Sequence, residues 1–130
     1  MQDRPTYDEL LAAVAHFLDA EIVPNVPGSR GFHARVAANA IRIVRRELAH
    51  EGEHLAAEWA GLDALLGAAE RPPGRDALRG ALRERNEALC ALVREGKADE
   101  GETARAVFEH VRRTVRDKLT VSDPELLDRS

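Results

Sequence analysis

An all-α fold, a single-domain up-and-down bundle of about five helices, is what this sequence predicts, and three observations carry that reading. Ala, Leu, Arg and Glu dominate, while aromatic residues make up 4% of the chain and threonine is scarce, a mixture that favours helix over strand. Apolar residues recur at spacings of three and four in five separate segments, the period of a helix that turns one face to a core. Pro and Gly clusters punctuate those segments and leave connections short enough for antiparallel neighbours.

Each element has its own justification. Helix A opens on Thr6 as N-cap with Glu9 three residues on, a capping box, and Leu10, Val14, Phe17, Leu18 and Ile22 form its expected core face. Pro24, Pro27 and Gly28 end it. Helix B is expected from about Ser29 to His50, with Phe32, Val36, Ala40, Ile43, Val44 and Leu48 as a broad apolar arc. Gly52 reads as the junction to helix C, whose stripe is Leu55, Trp59, Leu62 and Leu66 and whose end is Gly67 with Pro72-Pro73-Gly74. Helix D, from about Arg75 to Glu95, carries Leu78, Leu82, Leu89, Leu92 and Val93, with Gly96 as C-cap. Helix E aligns Ala104, Val107, Phe108, Val111, Val115 and Leu119 before Ser122-Asp123-Pro124 stops it.

Composition narrows the function classes. The 130 residues are 44% hydrophobic and 32% charged, too apolar for a disordered tail and enough to bury roughly two-thirds of the unfolded surface in one core. No apolar run approaches a membrane span, and the polar start from Met1 to Pro5 shows neither a secretory signal nor a transit peptide, so a cytoplasmic protein without membrane attachment is expected. A net charge of -4 argues against nucleic acid as partner. All but two of the nineteen basic residues are arginine, the exceptions being Lys97 and Lys118, and a GC-rich genome explains that bias better than a binding function does.

Four features could carry chemistry. His50-Glu51-Gly52-Glu53-His54 matches H-E-x-x-H, in which two histidines one turn apart bind zinc and the glutamate acts as base. That geometry needs an unbroken helix and a third ligand. Gly52 sits at the expected junction, and Glu58, Glu70 and Asp76 qualify as third ligand only by count, so exposed charges at a helix break, with no metal, are the preferred reading. The second feature is Arg35, Asn39, Arg42 and Arg46, spaced four, three and four along one flank of helix B, a polar wall suited to an anionic ligand. Asn39 falls at the margin of the apolar arc, where an amide needs a hydrogen-bond partner, and the simpler reading gives it one in the protein and pairs the arginines with acids on other helices.

The third feature is a pair of charges expected to point inward, Glu21 on helix A and Arg85 on helix D; an ion pair between them, or between Arg85 and another acid, is the simpler reading, and the other is a cleft with Glu21 as a general base near Arg35 or Arg85. The last is the set of lone residues. His16 and His110 lie off their helices' apolar stripes and read as exposed, His33 reads as a satisfied core histidine, and Cys90 as a small buried residue. The single cysteine excludes an intrachain disulfide.

The segment Phe32-His33-Ala34-Arg35-Val36-Ala37-Ala38-Asn39, continuing to Arg46-Glu47-Leu48, resembles a small bacterial family of helical proteins, a domain of unknown function. Arg4-Pro5-Thr6, Asn86 with Leu89-Cys90 and Gly96, and Lys118-Leu119 leading to Pro124 add to the likeness. The resemblance implies genes encoded beside a phosphotransferase of the aminoglycoside-kinase-like fold and an acyl-CoA dehydrogenase, and so a place in acyl-CoA or hydroxy-acid catabolism. It supplies no catalytic residue and no cofactor.

The expected function is a non-enzymatic accessory protein whose helical surface docks on that phosphotransferase or dehydrogenase. The alternative is a binding module or small enzyme for an anionic metabolite such as an acyl-CoA or a phosphorylated acid, using Arg35, Asn39, Arg42 and Arg46. A zinc-dependent hydrolase ranks behind both. A homodimer is also expected, through an apolar helix face left uncovered when short helices pack.

Overall fold

A computed structural model describes residues 3–129. It is all-α: among the described residues the regular elements are helical and there is no strand. Helix α1 spans Tyr7–Phe17 and runs into a π-helical turn, Leu18–Ile22; α2 spans Ser29–Leu66, α3 Arg75–Arg94, α4 Gly101–Ser122, and a last short turn, α5, Glu125–Asp128. The chain divides into two compact units, the first ending at His50 and the second beginning at Glu51.

In the first unit α1 starts as the sequence predicts. The Thr6 hydroxyl accepts from the Glu9 N–H at 3.2 Å, and the Glu9 carboxylate accepts from the Thr6 N–H at 2.8 Å. The predicted final turn of helix A exists but is widened, with the Val23 N–H donating to the Leu18 carbonyl five residues back. Gly31, in the first turn of α2, is forced by a close approach: a Cβ there would lie 2.1 Å from the Val26 carbonyl oxygen.

The side-chain faces of this unit differ from those the periodicity predicts. Its buried residues are small, Ala15 of α1 with Gly31, Ala34 and Ala38 of α2. The larger residues expected in the core are turned outward: Leu10, Val14 and Phe17 on α1, and Phe32, Val36, Val44 and Leu48 on α2, are between 42 and 59% exposed. Both helices are apolar over more than half their circumference, and a three-and-four period leaves open which part of so wide an arc is covered.

The expected junction at Gly52 is absent, and the predicted helices B and C are one helix, α2. Glycine inside a helix costs only about 0.5–1 kcal/mol relative to alanine. Gly52 is exposed between good helix formers, and the neighbouring Glu51 is held by Arg75 and Arg79 of α3.

The second unit has a cohesive core. Trp59 and Leu62 of α2, Leu82 and Leu89 of α3 and Val107 of α4 form one buried cluster, with Leu55, Leu65, Leu66, Leu78, Ala81 and Ala98 packed around it. They include the predicted stripe of helix C and that of helix D as far as Leu89; Leu92 lies outside the cluster and Val93, also expected in the core, is exposed. On α4 the covered face is rotated from the predicted one: Val107 and His110 are buried, while Phe108, Val111 and Val115 are 65, 45 and 48% exposed.

Candidate functional site

In the first unit Tyr7 and Asp8 of α1, with Arg42, Arg45, Arg46, Ala49 and His50 of α2, line a groove of about 400 Å³. Residues 42, 45, 46, 49 and 50 recur at three-and-four spacing, so one flank of α2 supplies the groove's cationic wall. Arg45 anchors it. Its Nε and Nη2 donate to the two Asp8 oxygens at 2.8 and 3.0 Å, a bidentate pair. Those hydrogen bonds hold the Asp8 carboxyl below the usual range. Arg42 pairs with Asp19, in the π turn.

The four predicted ligand-binding residues divide between two places. Arg42 and Arg46 line the groove, whereas Arg35 and Asn39 are exposed on α2 and are not among its lining residues. Asn39 also departs from its predicted structural role. No side-chain hydrogen bond to it exists among the described residues, because the Ala34 and Ala38 face turns inward and leaves Asn39 in water. Two further donors of the groove, Arg45 and Tyr7, were hidden from the sequence. Arg45 lies outside the four-three-four stripe, and Tyr7 comes from a different helix.

The other candidates fall in the second unit or on its α2 segment. Helix α2 is continuous through His50 to His54, which restores the i,i+4 spacing that Gly52 was expected to break. Glu51, the base of the H-E-x-x-H reading, is engaged otherwise. It accepts from Arg75 Nε at 2.8 Å and from Arg79, and although burial pushes its carboxyl up, these two guanidinium groups outweigh burial and hold it below the ordinary glutamate range. A carboxylate so held is a weak base. His54 Nε2 lies 3.9 Å from the Asp117 carboxylate on α4. Among the described residues no group of three or more His, Cys, Asp or Glu side chains is placed to hold a metal ion.

Of the two charges expected to point inward, Arg85 does so and pairs with another acid, Asp63, while Glu21, in the π turn, is exposed. Arg85 donates to Asp63, to the Leu62 carbonyl at 3.3 Å and to the Gly67 carbonyl at 2.6 Å, and so clasps the C-terminal end of α2. Asn86 beside it donates to Glu58 at 2.8 Å and to the Leu82 carbonyl at 3.0 Å.

His110 reverses its prediction. It is 4% exposed, and its Nδ1 has no hydrogen-bond partner. The ring is seated against the backbone of Gly61, where a Cβ would lie 2.2 Å from Nδ1. Burial is the main reason its pKa is lowered; Arg113 adds to the effect, Glu58 opposes it and Lys118 adds again. His33 and Cys90, read from the sequence as buried, are both exposed, and His16 is exposed as predicted.

No curated protein and no solved structure matches this sequence. A family profile does, over residues 24–126, a range that takes in α2, α3 and α4 and begins after α1 and the π turn. The chain therefore belongs to the family described as a domain of unknown function, DUF6285.

Proposed function

We propose that the chain is a non-enzymatic accessory protein that docks a partner enzyme through the outward face of α1. The observation that supports this reading is one row of side chains. Tyr7, Leu10, Val14 and Phe17, spaced three, four and three, are between 48 and 60% exposed, although their spacing is that of a face made to be covered. Aromatic and large aliphatic side chains in such a row are the usual anchors of a helix-borne interface. The phosphotransferase and the acyl-CoA dehydrogenase implied by the sequence resemblance are the partners this reading names. Co-expression with each tests it: a co-purifying complex is expected, and failure with both enzymes counts against it.

A second reading has its own support in the arginine groove. Arg42 and Arg45 each spend only part of their five donors on Asp19 and Asp8. Arg46, His50 and the Tyr7 hydroxyl stand along the same groove, a donor set suited to the phosphate or carboxylate of an anionic metabolite. Under this reading an acyl-CoA or a phosphorylated acid raises the melting temperature of the wild type and not that of an Arg46→Ala variant. An equal shift in both proteins would remove it.

A further inference from the structure

Along α2, Phe32, Val36, Ala40, Val44 and Leu48 follow one another at intervals of four, and all five are exposed. Residues four apart on an α-helix stand in one inclined ridge, so these side chains form a continuous apolar ridge within the first unit. Its order of sizes is symmetric about the middle: large, branched, small, branched, large.

We propose that this ridge is the contact for a second copy of the chain, crossed antiparallel about a two-fold axis at Ala40. Two such ridges interdigitate best when the helix axes cross at about 50°, which brings the axes closest at one point and lets them diverge on either side. The methyl of Ala40 sits where the axes are closest. Val36 of one copy then lies beside Val44 of the other, and Phe32 beside Leu48, so that the larger side chains fill the widening gap at both ends. A closed two-fold contact of this kind requires the surface to be complementary to itself, which the size order meets.

The flanking polar groups agree with the same pairing. His33 and Glu47 lie seven residues to either side of Ala40, so the two-fold sets the imidazole of one copy near the carboxylate of the other, twice. Arg42 and Arg45 lie on the opposite flank of α2, paired with Asp19 and Asp8 inside each chain, and so stay clear of the contact. The contact is separate from the α1 row and lies wholly within the residues matched by the family.

The test uses the full chain in a Cys90→Ser background, because Cys90 is an exposed free thiol. Sedimentation equilibrium is expected to give twice the chain mass of 14.3 kDa for the parent, and the single-chain mass for Val44→Glu with its helical circular dichroism unchanged. Register is read by oxidation. Ala40→Cys is expected to form a disulfide-linked dimer by itself, whereas Val36→Cys and Val44→Cys cross-link only when mixed. Three results would each overturn the proposal: a parent that stays at 14.3 kDa at every concentration, a dimer that Val44→Glu leaves intact, or a Val36→Cys protein that cross-links to itself as readily as Ala40→Cys does.

Discussion

The Arg85 guanidinium lies 4.6 Å from the centroid of the Trp59 ring, and the same group binds Asp63 and the carbonyl oxygens at the end of α2. One side chain of α3 thus covers a core aromatic and ties together the backbone on either side of the last turn of α2. The Arg85 side chain is 13% exposed, so little water is at hand to replace it. Arg85→Ala is expected to cost about 1 to 3 kcal/mol, since it uncovers the Trp59 ring and removes the charge-assisted hydrogen bond to Asp63. Arg85→Lys should recover less than half of that loss, because an ammonium keeps the charge but neither the fork nor the stacked plane. Urea denaturation of the three proteins measures both numbers, and equal stability of the Arg85→Lys and parent chains would contradict the role given to the planar group.

Leu89 and Val111 share the same expectation in the sequence and part company in the structure. Leu89 is 5% exposed inside the core cluster, and Leu89→Ala should cost about 2 to 4 kcal/mol through the cavity it leaves. Val111 is 45% exposed, and Val111→Ala should cost less than about 0.5 kcal/mol. Thermal melts of the two variants side by side check the rotation of α4 directly, and comparable losses would mean that the predicted face, with Val111 covered, is the true one.

His110 makes stability depend on pH. Its folded pKa lies below its unfolded value of about 6.5, so the unfolded chain takes up a proton at a pH where the folded chain does not. Its contribution is therefore full above about pH 6.5, falls as the pH is lowered from there, and levels off once the pH is below the folded pKa. His110→Gln should flatten the urea midpoint across that window relative to the parent. Gly61→Ala should lower stability at every pH, because its methyl group meets the imidazole. A parent whose midpoint gains nothing relative to His110→Gln between about pH 5 and 7 would rule out a neutral buried ring.

How legible the molecule was depends on the width of each apolar arc. The narrow stripe Leu55, Trp59, Leu62 and Leu66, and Leu78, Leu82 and Leu89 of α3, have one way to face a core, and they form it. The α1 and α2 segments of the first unit carry wide apolar arcs, and there the alanines, which permit close helix approach, turned inward in place of Phe32, Val36, Leu10 and Phe17. Gly52 misled because a single glycine weakens a helix without ending one. Half of the predicted anion-binding set lines the groove, through Arg42 and Arg46, because helical spacing places residues on a flank and says nothing of which stretch of that flank another helix approaches. Arg45, Tyr7 and the buried His110 depend on such approaches and carried no signal in the sequence.

The measurement that bears most directly on the account is co-purification of the chain, and of a Leu10→Glu, Phe17→Glu double variant, with the co-expressed phosphotransferase and dehydrogenase. Both positions are about half exposed, so the variant should fold and melt as the parent does. A stoichiometric complex between the parent and one of the two enzymes is expected, lost in the double variant. A parent that elutes alone from both enzymes, or a complex that survives both substitutions, would contradict it.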